Sequence, residues 1–195
     1  MMCLPSVLVS LLNGILSSIS QSAVAFFGVY YKLQTFIYMP TSGIVQGMRP
    51  LMSYNYGAKL KERMHQILKV SGLVIAAILG AGTLLFFIVP NVLLSLFNAS
   101  SDMLEIGETG LRILSLSFIV SSFGVLMSGV FEALGLGKYS LTVSLLRQLL
   151  ITVPLAYILL NIMGIEGIWL SFVIAEAIAS IVASVSYTHL TLPTN

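Results

Sequence analysis

Residues 46–64 read QGMRPLMSYNYGAKLKERM, a charged and turn-rich stretch set between two long apolar runs. Those runs set the class of the protein. The chain has 195 residues, of which 57% are hydrophobic and 8% charged, and its mean hydropathy is +1.02. A soluble domain carries about a quarter of its residues as Asp, Glu, Lys and Arg, so this chain has too little polar surface to cover a globule and belongs in a membrane.

Working outward from the quoted stretch, apolar windows long enough to cross the hydrocarbon as helices occur six times: 4–20, 23–49, 67–90, 104–134, 140–162 and 167–185. The runs are continuous rather than alternating, which favours helices over a β-barrel. Pro40 and Pro154 are expected kink sites, because each removes a backbone donor and crowds the preceding turn. No basic region or convincing cleavage site marks the amino terminus as a signal peptide, so the first run counts as a span. Cys3 is the one cysteine, which excludes an intrachain disulfide and a thiolate metal cluster.

The loops carry opposite signs. Lys59, Lys61 and Arg63 follow the second span, flanked by Arg49 and Lys69, and Lys138 follows the fourth. Asp102, Glu105 and Glu108 follow the third, and Glu166 the fifth. Lys and Arg are retained on the cytoplasmic side, which places the even-numbered links, and with six spans both termini, in the cytoplasm. The KLKERM part of the quoted stretch is then a cytoplasmic anchor, and NYG is turn chemistry closing a helix. The net charge of +2 forms no basic patch for nucleic acid.

Ionisable residues at membrane depth cost about 2.5–3.5 kcal/mol on insertion scales and call for a reason. Lys32, Thr35, Met39, Ser42, Gln46 and Arg49 follow one another at helical steps and form a polar-leaning face, for which a cavity lining and a packing face with a snorkelling lysine are both open. Glu176 lies midway along the sixth span, either as a proton-binding carboxylate or as the partner of a buried cation such as Lys32 or Arg147. Glu132 and Arg147 are expected to meet across the GLGKYS hairpin, as a structural or gating pair. Ser117, Ser121, Gly124 and Ser128 recur at spacings that let helices approach closely. Enzymatic signatures are missing: the two histidines, His65 and His189, lie outside the apolar spans, and there is no metalloprotease, nucleophile-elbow or phosphate-loop motif, so neither an enzyme nor a bound cofactor or metal is expected.

Taken together, three stretches resemble the MATE family of multidrug exporters. MPTSGIVQGMRPLMSYNYGAKLKERM matches the segment closing the second helix of each lobe, through Pro40, Gly43, Gly47, Pro50, Asn55, Gly57 and Ala58. GVFEALGLGKYSLTVSLLRQ resembles the family's hairpin between helices ten and eleven, and GIEGIWLSFVIAEAIA the start of helix twelve. The resemblance implies an all-α membrane fold and one six-helix lobe, helices seven to twelve, of a transporter with two lobes related by an axis along the membrane normal. It also implies antiport of amphiphilic, often cationic, drugs and toxins against H+ or Na+, with membrane lipids and a missing amino-terminal lobe of the same polypeptide as partners. In one branch of the family acidic residues on helices seven and ten hold the coupling ion; here the first position corresponds to Asn13, and the second region, SFIVSSFGVLMS, has no carboxylate. Asn13, Lys32, Gln46 and Glu176 are the expected pathway residues. A lipid-linked oligosaccharide flippase of the same superfamily and a non-transporting membrane subunit or inert fragment are the competing readings; Lys32 and Arg49 are too few cations to favour a pyrophosphate cavity. Residues 187–195, YTHLTLPTN, resemble translated adapter DNA and are expected to be non-native.

Overall fold

A computed structural model describes residues 4–191, with side chains as far as Tyr187. Helices joined by short turns make up that range: α1 (Leu4–Ser17), α2 (Gln21–Gly57), α3 (Lys61–Ile88), α4 (Pro90–Ser95), α5 (Ser101–Ala133), α6 (Gly137–Leu145), a π-turn (Leu146–Leu150), α7 (Thr152–Met163) and α8 (Ile165–Thr191). Most of residues 187–195 therefore fall beyond the described side chains, and residues 192–195 beyond the described backbone. Four helical passages, Lys61–Ile88, Ser101–Ala133, Gly137–Met163 and Ile165–Tyr187, are long and apolar enough to cross a bilayer. α1 is apolar but shorter. α2 is long, at 37 residues, and carries the polar face. At 1.5 Å per residue it extends about 55 Å, well beyond a hydrocarbon core of about 30 Å.

Local chemistry explains the helix ends. Ser20 caps α2, its hydroxyl accepting from the amides of Ser22 at 3.0 Å and Ala23 at 3.4 Å, and Ser100 caps α5 through the Met103 amide. Pro90 opens α4, where its missing amide is not needed. Helix α2 continues through Pro40 and Pro50, so the family-like PLMSYNYG segment is helix rather than turn. The turn is confined to residues 58–60: Lys59 takes a left-handed φ of 56°, and the amides of Lys59 and Leu60 bond to the carbonyls of Tyr56 and Asn55. This is a Schellman closure with lysine where glycine is usual, two residues after the Gly57 that the sequence pointed to. α5 ends the same way at Gly135, whose φ is 74°.

α5 is the central helix and packs on α2, α3, α6 and α8. Small residues permit this. A Cβ at Gly107 or Gly110 would come within 2.6 Å of Leu94 or Phe26, and one at Gly129 within 2.5 Å of Val45. Phe26 in turn meets the edge of buried Trp169 at 5.0 Å, joining α2, α5 and α8 in an aromatic core that Phe27, Tyr30 and Phe172 extend. Ser117, Ser121 and Gly124 are buried along α5, where Ser121 lies 2.5 Å from the Tyr38 hydroxyl and Gly124 faces Ser180, while Gly124 and Ser128 also border a cavity beside α2.

Candidate functional site

The polar face of α2 opens onto two cavities. Tyr31, Gln34, Thr35, Tyr38, Met39 and Ser42 form the α2 wall of the first, with a volume of about 410 Å³. Pro5 and Leu8 of α1, Phe172 and Glu176 of α8, and Arg147, Gln148 and Thr152 close it. The second, about 340 Å³, lies one to two turns along α2 and is lined by Ser42, Val45, Gln46 and Arg49 together with residues of α5, Val143, Ser144 and Arg147. Ser42 and Arg147 border both, so the two cavities meet at Arg147.

Arg147 and Gln148 reach this place because of the π-turn. Pro154 has no amide to offer the carbonyl of Leu150 and its ring crowds that turn, so the helix cannot continue in α register. It widens instead: the Ile151 amide bonds back five residues to Leu146, and the Thr152 hydroxyl takes the Arg147 carbonyl at 2.5 Å. The widened turn swings Arg147 toward α8, where its Nε lies 3.6 Å from Oε1 of Glu176. Both side chains are largely buried, 22% and 14% exposed.

A second ion pair sits at the end of α2 and α5. Arg49 contacts Oε2 of Glu132 at 2.5 Å, and the Ser140 hydroxyl, itself 2.6 Å from that of Ser128, donates to Oε1 at 3.0 Å. The Ser53 hydroxyl donates to the Ala133 carbonyl beside it. Glu132 and Arg147 therefore do not pair with each other, contrary to the hairpin expectation. The close approach of α2 to Gly129 brings Arg49 to Glu132 first, and the π-turn carries Arg147 to Glu176.

Of the pathway residues expected from sequence, Gln46 lines the second cavity and Glu176 the first. Lys32 lines neither; it is exposed on the edge of the polar face next to exposed Phe36. Asn13 is half-buried on α1 and stands outside both linings, its Oδ1 enclosed without a hydrogen-bond partner among the described residues. Tyr31, Gln34, Tyr38, Gln148, Thr152 and Phe172 were not anticipated. Gln34 and Tyr38 share the helical spacing of Thr35, Met39 and Ser42 and were within reach of that signal. Among the described residues no group of His, Cys, Asp and Glu could hold a metal.

A bundle of membrane-length helices with largely buried ion pairs and polar cavities defines a polytopic α-helical membrane protein. Comparison with known proteins narrows the class. The MatE family profile matches residues 1–158, and the chain belongs to the MatE family. It is 26% identical over 172 residues to the multidrug export protein MepA of Staphylococcus aureus strain MSSA476, covering 88% of this chain and 38% of that protein. With MepA of Staphylococcus saprophyticus it shares 26% over 187 residues, 92% of this chain and 41% of that one. Among solved structures, a MOP superfamily transporter from Pyrococcus furiosus superposes with a TM-score of 0.88 at 21% identity, over 96% of this chain and 43% of that chain. The Vibrio cholerae MATE transporter VcmN in its bent form gives 0.87 at 22%, over 95% and 42%. The fold is that of the MATE transporters, and the chain spans about two fifths of the length of the relatives it matches.

Proposed function

We propose that the chain is the carboxy-terminal six-helix lobe of a multidrug antiporter, which exports amphiphilic, often cationic, compounds across the cytoplasmic membrane in exchange for H+ or Na+. Alternating access then requires an amino-terminal lobe, with the substrate passing between the two. The observation that carries this reading is the first cavity: an acidic side chain, Glu176, buried at membrane depth among Tyr31, Tyr38, Met39 and Phe172. Aromatic faces and a carboxylate are the groups that receive a lipophilic cation. The multidrug export proteins among its relatives support the substrate class. The basic residues around the α2–α3 turn and Lys138 favour an orientation with both termini in the cytoplasm.

The test is efflux of ethidium from cells expressing this chain joined to the amino-terminal lobe of a relative. Glu176→Gln is expected to reduce efflux to the level of cells lacking the transporter, whereas Lys32→Gln, at an exposed position outside both cavities, leaves it intact. Unchanged efflux in Glu176→Gln, with normal expression, would remove the first cavity from the pathway.

A further inference from the structure

The two ion pairs differ in construction. Arg49 and Glu132 are in close contact at 2.5 Å, and the second carboxylate oxygen accepts from Ser140, so both oxygens of Glu132 are engaged. Arg147 and Glu176 stand 3.6 Å apart, longer than the roughly 2.7–2.9 Å of a charge-assisted hydrogen bond. Oε2 of Glu176 is enclosed without a hydrogen-bond partner among the described residues, and so is Oε1 of Gln148 in the same cavity. Two buried acceptors with nothing to accept from ask for a donor or a cation, not for an anion.

Arg147 cannot make way for another cation by losing its proton, since a guanidinium stays charged; it can only stay or move. Room to move is present. Arg147 also borders the second cavity, where Ser42, Gln46 and Ser144 offer hydroxyl and amide oxygens to its donors, and where Arg49 is already neutralised by Glu132. We propose that Arg147 is a resident counter-ion: a lipophilic organic cation entering the first cavity takes its place at Glu176, and the guanidinium withdraws into the second cavity. This rests on the export reading above and deepens it. Between substrates, Arg147 keeps the buried carboxylate from standing alone, which is strongly unfavourable at this depth. It also confers selectivity, because a neutral ligand of the same shape brings no charge to replace the one it displaces.

The experiment uses the chain in lipid nanodiscs, with tetraphenylphosphonium as probe and 15N-labelled arginine as reporter. The sequence has four arginines, Arg49, Arg63, Arg112 and Arg147, so the Nε resonances are assignable by single substitutions. On titration with tetraphenylphosphonium the Arg147 Nε signal is expected to shift in a saturable way while that of Arg49 stays in place, and Glu176→Gln is expected to weaken binding by about tenfold or more. Arg147→Gln, which removes the competitor, is expected to bind the probe severalfold more tightly. The resonance measurement on the unsubstituted chain does not depend on that variant folding. If the probe binds in a Glu176-dependent way and the Arg147 signal does not move, the counter-ion role is overturned while the cation site stands. If the unsubstituted chain binds no probe, or Glu176→Gln binds as well as it does, the cation site falls too, and the counter-ion role with it. The ethidium efflux assay, which reads the two-lobe protein, reports separately on whether export survives.

Discussion

A single hydrogen atom decides how closely α2 and α5 can approach at Gly129. A Cβ built there would lie 2.5 Å from Cγ1 of Val45 and 3.2 Å from the Met48 methyl. Valine is stiff at χ1 and buried, so it cannot swing clear; the helices must separate instead. Gly129→Ala is therefore expected to cost about 1–3 kcal/mol, the usual range for overpacking, and to loosen the neighbouring Arg49–Glu132 contact. Gly124, one to two turns away on α5, meets only Ser180 Oγ at 3.4 Å, and alanine there is expected to change stability by less than about 1 kcal/mol. Thermal unfolding of the two variants in the same detergent checks the difference; equal midpoints would mean the seam is softer than its geometry implies.

At the scale of elements, the π-turn at Leu146–Leu150 is the feature that converts a proline into a site. Pro154→Ala returns a donor to the Leu150 carbonyl and allows α6, the turn and α7 to merge into one α-helix. Removing one residue of π excess rotates everything on one side by about 100° relative to the other, which takes Arg147 out of line with Glu176. The expected result is a chain that is no less stable, and up to about 3 kcal/mol more so, yet, joined to the amino-terminal lobe of a relative, gives ethidium efflux several times slower. Wild-type efflux with raised stability would show that the turn does not position the pair. The sequence marked Pro154 as a kink and placed Gln46 and Arg49 on one helix face, since both follow from backbone chemistry and a 3.6-residue period. It did not reveal which cation meets which carboxylate. Glu132 and Arg147 look paired because 15 residues and one hairpin separate them, but partner choice depends on how far each helix is rotated, and here a π-turn and the glycine at 129 set that rotation. Lys32 misled for a related reason: it has the right spacing for the polar face and lies at its edge, where one step of rotation separates a lining position from an exposed one.

For the molecule as a whole, charge is segregated by end. The Ser53–Ala133 hydrogen bond and the Arg49–Glu132 pair tie the carboxy-terminal ends of α2 and α5 together, so the Lys59, Lys61 and Arg63 cluster and Lys138 lie at the same end of the bundle. Asp102, Glu105 and Glu108 gather at the start of α5, with Asn91 donating to Glu108 at 3.0 Å and Arg112 paired with it at 2.8 Å. Because Lys and Arg near span ends are held back during insertion, the first end is expected to face the cytoplasm. Exposed Tyr56 and Ser101 mark the two ends without altering a charge. In a Cys3→Ser background, Ser101→Cys is expected to react with a membrane-impermeant maleimide on intact cells, and Tyr56→Cys only after permeabilisation. The opposite pattern would invert the orientation of the chain, and with it the direction proposed for transport. The second cavity, bordered by Arg49, lies toward the basic end, so in the expected orientation the withdrawn Arg147 sits on the cytoplasmic side of Glu176. On the proposed exchange, a negative-inside membrane potential favours its withdrawal and opposes its return, so release of the cation would be the step that works against the field on Arg147.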